Sequence, residues 1–255
     1  MSTVRSAIRR ILVIPARRRS TRLPDKMLLR AAGKSVLQHT YEAALNVKRA
    51  ELILIATDDE EIAAECRRFG APVVMTSPDC PSGTDRVAEA VAAYPAAEVI
   101  VNLQGDEPEA DAAAIDRLFE LLEATPTVAL ATLATPIRDR HKLEDPSCVK
   151  VTFDGAGRAL YFSRSPIPYA REWDDRLLAA EPATFHQHIG IYGYRRSLLM
   201  QMPKWPVGRL EQIEKLEQLR VLENGESILV AVTARATRGI DTPEDFADFA
   251  ARRAA

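Results

Sequence analysis

A chain of 255 residues with 47% hydrophobic content can bury one large core, or a core with an attached subdomain, and is no disordered tail. Its 34 Lys and Arg against 36 Asp and Glu leave a formal net charge of -2, so no overall field favours nucleic acid or a membrane surface. Cys66, Cys80 and Cys148 are odd in number, far apart and without a CxxC pair, which argues against a disulfide framework or a zinc site and for a reducing cytoplasm. The apolar run Ile11 to Ile14 behind Arg5, Arg9 and Arg10 is too short for a secretory segment or a membrane span, so a protein that is neither exported nor membrane-bound is expected.

Short apolar runs alternate with amphipathic stretches along the first half. Ile11 to Ile14 reads as a strand, Ser35 to Val47 as a helix, Leu52 to Ala56 as a strand, Glu60 to Phe69 as a helix and Val73 to Met75 as a strand. The rhythm continues with a helix from Thr84 to Ala93, a strand ending near Leu103, a helix from Ala112 to Leu122 and a strand from Val128 to Leu133. This alternation predicts the α/β class with a doubly wound, mostly parallel sheet. Past Pro136 the texture changes: Cys148 to Phe153, the turn residues Asp154 and Gly155, and Ala159 to Ser163 read as a β-hairpin. Leu210, Ile213, Leu216, Leu219 and Leu222 recur at helical spacing up to a C-cap at Asn224 and Gly225, and Ile228 to Val232 reads as one further strand. The expected organisation is a single domain over 1–255, with a core of 8–136 and 226–255 and a smaller hairpin and helix subdomain over 137–225.

The first strand runs into a long, proline-marked, charged loop from Pro15 to Lys26, which carries Arg17, Arg18, Arg19, Arg22 and Lys26. Long loops in compact α/β units usually bind something, and guanidinium forks with a Lys ammonium suit phosphate oxygens; the plain alternative is a solvated basic loop. Neither GxGxxG nor GxxxxGK[ST] is present, which excludes a dinucleotide fingerprint and a Walker A loop. The run Glu98 to Val101 delivers Asp106 and Glu107 into a turn closed by Pro108. A carboxylate at a strand's carboxyl end is well placed to hold Mg²⁺ against substrate phosphates, which makes Asp106 the first candidate for chemistry; a merely solvated turn is the alternative. Asp241, in the string Gly239 to Asp245, either caps a helix whose first turn holds Pro243 or completes a metal site with Asp106.

Tyr161 to Arg164, and the segment His186 to Tyr194 with its alternating aromatic, polar and glycine residues, suit a sugar-binding wall. His188 on its own is as readily a structural residue. Glu211, Glu214 and Glu217 recur on the polar side of the leucine helix, where a solvated face is the default and Glu217 with Gln218 can alternatively face a cleft.

The strings IPARRRSTRLPDKML, SGTDR, VNLQGDEP, ALYFSRSPIP, HIGIYGYRR, LEQIEKLEQLRVLENG and GIDTPEDF, in this order and across nearly the whole chain, resemble the CMP-Kdo synthetase family, the 3-deoxy-manno-octulosonate cytidylyltransferases. The resemblance implies a nucleotidyltransferase of GT-A-like fold that moves a cytidylyl group from CTP to 3-deoxy-D-manno-octulosonate (Kdo), giving CMP-Kdo and pyrophosphate for lipopolysaccharide synthesis. It implies Mg²⁺ as cofactor and a cytoplasmic homodimer with no nucleic-acid or membrane partner. By motif match, Arg17, Arg22 and Lys26 would hold the triphosphate, with Ser82 and Gly83 near the nucleotide. Asp106 and Asp241 would hold Mg²⁺, and Lys26, Arg17 and Asp106 would be catalytic. Gln104, Arg164, His188, Tyr192, Glu217 and Gln218 would line the Kdo pocket. With the metal lowering the pKa of the sugar hydroxyl, no dedicated protein base would be required.

One departure stands out. Asp25 occupies the position before the loop lysine where the family usually has Gly, and Arg18 and Arg19 replace an aromatic and a small residue. The added carboxylate either repels phosphate or faces solvent, and the extra arginines would offset it. A cytidylyltransferase for another acidic sugar, such as sialic acid or an amino-substituted Kdo, and a catalytically silent nucleotide-binding regulator are the rival readings.

Overall fold

The computed structural model describes residues 7–18, 22–234 and 238–254; Arg5, Arg19, Ser20 and Thr21 lie outside them. In chain order the first elements are β1 (Arg10–Ala16), β2 (Arg30–Ala31), β3 (Lys34–Ser35), α1 (Val36–Ala44), β4 (Leu52–Thr57), α2 (Glu60–Arg68), β5 (Val73–Met75), α3 (Gly83–Val91), β6 (Val99–Asn102) and α4 (Ala112–Ala124). Then follow β7 (Leu130–Pro136), α5 (Arg140–Glu144), β8 (Lys150–Phe153), β9 (Ala159–Ser163), α6 (Arg176–Ala179), β10 (His186–Arg195), α7 (Arg196–Gln201), α8 (Arg209–Glu214), α9 (Leu219–Glu223), β11 (Ile228–Val232) and α10 (Pro243–Ala254). By its contacts the chain divides into two compact units, Met1–Phe119 with Thr237–Ala255, and Glu120–Ala236.

The first unit is built on parallel strands in the order β6-β1-β4-β5. Ile11 faces Leu52 on one side and Ile100 on the other, and Ile11, Leu12, Val13 and Ile14 are all fully buried, as a parallel strand covered on both faces requires. The helices start on local capping. Ser35 accepts from the Gln38 amide at 3.2 Å, Asp59 accepts from the Glu61 and Ile62 amides at 2.9 and 3.1 Å, and Ser82 with Asp85 forms a capping box. In α2, Glu60 and Glu61 fill the first turn and Arg67 and Arg68 the last, which complements the helix dipole.

From β1 the chain moves outward to β4 and β5, then crosses to β6 on the other side of β1. The strand order therefore reverses between β1 and β6, and in open α/β sheets ligands bind outside the carboxyl ends of the strands at such a point. The loops that leave those two ends carry Arg17 and Asp106.

The second unit has mixed pairing. β7 runs parallel to β11 and antiparallel to β10, and β10 pairs β8, which forms the expected hairpin with β9. The hairpin turns because the Asp154 carboxylate accepts from the amides of Ala156 and Arg158, both at 2.9 Å, while Gly157 takes φ 79. β7 and β11, grouped with the core in the sequence reading, pair within this unit.

Two sequence expectations are corrected here. The leucine-spaced helix is not continuous: α8 ends at Glu214, the next residue Lys215 takes φ 55, and α9 begins only at Leu219. Two short helices satisfy the same spacing, since Leu216 and Leu219 are buried across the break while Ile213 is 68% exposed. The glutamate face is not simply solvated either. Glu211 is buried and takes both Nε and Nη2 of Arg220 at 2.6 Å, a bidentate pair that satisfies both charges away from water.

Candidate active site

Each reactive side chain of the first unit sits beside a buried apolar anchor. In the loop after β1, Leu23 and Met27 are buried, the second of them within a single 3-10 turn, Lys26–Leu28. Leu23 packs in one cluster with Ala31, Val36, Phe249 and Ile240, so the phosphate-type loop and the Asp241 segment share a footing. Leu103, fully buried, follows directly on β6, and its amide donates to the Val13 carbonyl at 3.0 Å. The next turn comes so close to the β1 loop that a Cβ on Gly105 would lie 3.0 Å from Met27 Sδ and 3.1 Å from the Pro15 carbonyl, tight enough that these neighbours would have to give way. The Ile240 amide donates to the Asp106 carbonyl at 2.9 Å, which sets Asp241 beside Asp106.

Asp241 does not cap the C-terminal helix. Thr242 Oγ1 accepts from the Asp245 amide at 3.1 Å, and Asp245 Oδ2 accepts from the amides of Asp241 and Thr242 at 3.1 and 2.9 Å. That reciprocal capping box takes over the helix end and leaves the Asp241 carboxylate for other partners.

Those partners are cations. Lys26 Nζ donates to Asp106 Oδ2 and, at 3.0 Å, to Asp241 Oδ1, while Arg22 Nη2 lies 3.1 Å from the same Asp241 oxygen. Lys26 is only 7% exposed. Burial opposes its charge, yet the two carboxylates more than offset this and hold the ammonium pKa above its ordinary value.

Two carboxylates that reach one nitrogen atom are close enough to share one cation. Among the described residues no group of three or more His, Cys, Asp and Glu could hold a metal. That donor set fits Mg²⁺, which takes one or two carboxylates, keeps several waters and draws other ligands from substrate phosphates.

The expected nucleotide residues line one cavity of about 400 Å³: Arg17, Arg22, Lys26, Ser82, Gly83 and Asp106, together with Gln104 and Asp241. The size suits a small-molecule ligand. The Ser82 hydroxyl is engaged by Asp85, donating to its Oδ2 at 2.6 Å and accepting from its amide at 3.2 Å. The sequence reading missed Arg86. This residue is 4% exposed, lines the same cavity, donates from Nη1 to Thr76 Oγ1 at 2.5 Å and brings Nη2 to 3.2 Å from Asp58 Oδ1. It lies three residues after Gly83 on α3, so helical spacing in the SGTDR string would have found it.

In the second unit a polar cluster forms around β10. His188 is buried, which drives its pKa down to about 3, so the ring is neutral. Its Nε2 lies 2.9 Å from Thr132 Oγ1, whose hydroxyl also has the Ile189 and Ile191 carbonyls at 3.2 and 3.0 Å, so one ring nitrogen is tied to Thr132. The Tyr192 ring lies 5.4 Å from that of His188, and burial first, then Tyr194 and Glu217, push its phenol well above the ordinary value. Gln218 is 3% exposed, and its side-chain Nε2 has no hydrogen-bond partner among the described residues. An orphaned buried donor calls for an acceptor from outside.

Arg164 is held from both ends, its Nε donating to the Glu214 carbonyl at 2.8 Å and its Nη1 to that of Pro146 at 2.9 Å. Glu214, read as solvated, clasps the end of β9 by accepting from Ser163 Oγ at 2.6 Å and from the Arg164 amide at 3.0 Å.

Comparison with known proteins shows the family. A cytidylyltransferase family model matches residues 11–228. The chain is 50% identical, over 95% of its length and 97% of the relative's, to a 3-deoxy-manno-octulosonate cytidylyltransferase of Rhodopirellula baltica. It is 44% identical, over 92% and 94%, to an 8-amino-3,8-dideoxy-manno-octulosonate cytidylyltransferase of Shewanella sediminis. Among solved structures, CMP:2-keto-3-deoxy-manno-octonic acid synthetase complexed with CTP superposes with a TM-score of 0.89 at 39% identity, covering 96% of this chain and 98% of that one.

Proposed function

Because the chain belongs to the cytidylyltransferase family, we propose that it is a nucleotidyltransferase that transfers the cytidylyl group of CTP to the anomeric hydroxyl of Kdo, releasing pyrophosphate. One observation carries the reading: a buried lysine held by two carboxylates, in a cavity that also presents Arg17 and Arg22. A polyanionic nucleotide and an acidic sugar repel one another, and phosphoryl-type transfer asks the protein mainly for positioning and charge stabilisation. Arg17 and Arg22 offer planar forks to phosphate oxygens, and Lys26 adds a charge that its neighbours keep protonated. Together they stabilise negative charge on the departing pyrophosphate.

Asp106 and Asp241 would hold Mg²⁺, which when bound polarises phosphate oxygens and lowers the pKa of a coordinated hydroxyl. In the second unit, neutral His188, Tyr192, Glu217 and the unpartnered Gln218 amide form the sugar-acid recognition set, with Arg164 for the carboxylate; Gln104 serves from the nucleotide cavity. Of these, His188, Tyr192 and Gln218 offer directional partners to hydroxyls without adding charge.

A homodimer belongs to the same proposal, as the family resemblance implies. A cytoplasmic setting is supported by three free cysteines. No helix among the described residues is long and apolar enough to cross a membrane.

Pyrophosphate release with CTP and Mg²⁺ tests the reading when Kdo, 8-amino-Kdo and sialic acid are supplied separately beside a no-sugar control. Kdo-dependent release supports it. Release with only another sugar keeps the chemistry and moves the acceptor, and silence with all three from folded protein overturns it.

A further inference from the structure

Asp25 immediately precedes Lys26 and takes φ 52, ψ 24, the left-handed region. Among non-glycine residues Asp and Asn enter that region most readily, because a short polar side chain can bond locally. Its carboxylate is nevertheless a hazard, since it stands one residue from a lysine assigned to phosphate oxygens. Asp25 is absent from the lining of the nucleotide cavity. Its Oδ1 instead accepts from Arg18 Nε at 2.7 Å, and Arg18 Nη1 donates to Glu61 in the first turn of α2. These hydrogen bonds raise the pKa of the Arg18 guanidinium, so it stays charged. Arg18 is also absent from the cavity lining, which among the described residues leaves Arg17 and Arg22 as the loop arginines that face it.

We propose that Arg18 is a positioning residue for nucleotide binding: tied to α2 through Glu61, it draws the Asp25 carboxylate away from the triphosphate and steadies the left-handed turn that delivers Lys26. The inference rests on the CTP reading of the cavity. It differs from a direct phosphate contact because Arg18 acts only through Asp25, and removing Asp25 should make Arg18 dispensable. Glycine is the replacement that keeps the turn, since it adopts positive φ freely.

The test is a double-mutant cycle with Arg18→Ala, Asp25→Gly and the double variant, reading the calorimetric Kd for CTP together with KM and kcat. Both side chains are partly exposed, at 38% and 51%, so the expected effect is moderate. Arg18→Ala should weaken CTP binding and raise KM about fivefold with kcat nearly unchanged, and Asp25→Gly should bind CTP at least as tightly as the wild type. The double variant should then match Asp25→Gly. An unchanged Kd in Arg18→Ala, or the same loss in both backgrounds, overturns the proposal, the second result making Arg18 a direct phosphate ligand. Wild-type protein that binds no CTP would instead overturn the proposed function, so the two failures are distinguishable.

Discussion

Two buried lysines in different units show what burial does and does not signify. Lys26, 7% exposed, meets two carboxylates, and its pKa lies above the ordinary value. Lys150, fully buried on β8, donates to the backbone carbonyls of Asp145, at 2.9 Å, and Arg164, and burial holds its pKa below the ordinary value. Backbone carbonyls are fixed by the chain, so Lys150 is a strut. The carboxylates of Lys26 can be shared with another cation, and that separates a reactive centre from a structural tie. The lesson is that the partners of a buried charge, rather than its burial, mark the site.

The comparison breaks most sharply at Asp106. Asp106→Asn should lower kcat by about 10²–10³-fold, a magnitude typical of removing one preorganised charge partner, while circular dichroism and the melting temperature stay close to wild type. Near-normal turnover would remove Asp106 from the centre. The lysines should then part company. Lys26→Gln should lower kcat/KM for CTP about 10²-fold with little loss of fold. Lys150→Met should leave CTP affinity intact but cost about 2–4 kcal/mol in denaturant unfolding, because two backbone carbonyls lose the donor that a fully buried lysine supplies. If both variants lose activity and stability in parallel, the distinction fails.

Smaller effects follow from pH. Lys150 has a folded pKa below its ordinary 10.5, so the unfolded chain binds the extra proton and stability should rise with pH through the window below 10.5. That rise should vanish from the alkaline melting curve of Lys150→Met. His188, at about 3 against an ordinary 6.5, contributes stability that is present above 6.5 and lost as pH falls toward 3. His188→Gln should flatten acid melting between those values by more than about 2 °C, and identical slopes would show that burial of this ring does not govern acid stability.

Much of this arrangement is legible in the chain. Continuous apolar runs such as Ile11 to Ile14, and Ile228 to Val230 within β11, mark buried strands, and Ser35 and Asp59 announce their helices by capping chemistry. The two acids and the loop cations of the first unit are legible as well, because each follows the carboxyl end of a strand or starts a helix. Asp241 is the instructive intermediate case. Its freedom from capping follows from Thr242 and Asp245, a T-x-x-D pattern visible in the sequence, yet its pairing with Lys26 needs the fold to bring residues 26 and 241 together. The break at Lys215 is hidden, since leucine spacing runs through it and two short helices bury Leu216 and Leu219 equally well. The Glu211–Arg220 pair is hidden for another reason: a glutamate at helical spacing reads as solvated until its partner nine residues on is seen to cover it.

The most direct test of the central claim, that Asp106 and Asp241 form one cation-binding pair at the nucleotide, is Mn²⁺ binding followed by electron paramagnetic resonance in the presence of CTP. The wild-type protein should show protein-dependent Mn²⁺ binding that weakens at least about tenfold in Asp106→Asn and again in Asp241→Asn, as expected when a metal ligand is removed. Equal binding by the wild type and both variants would contradict the account.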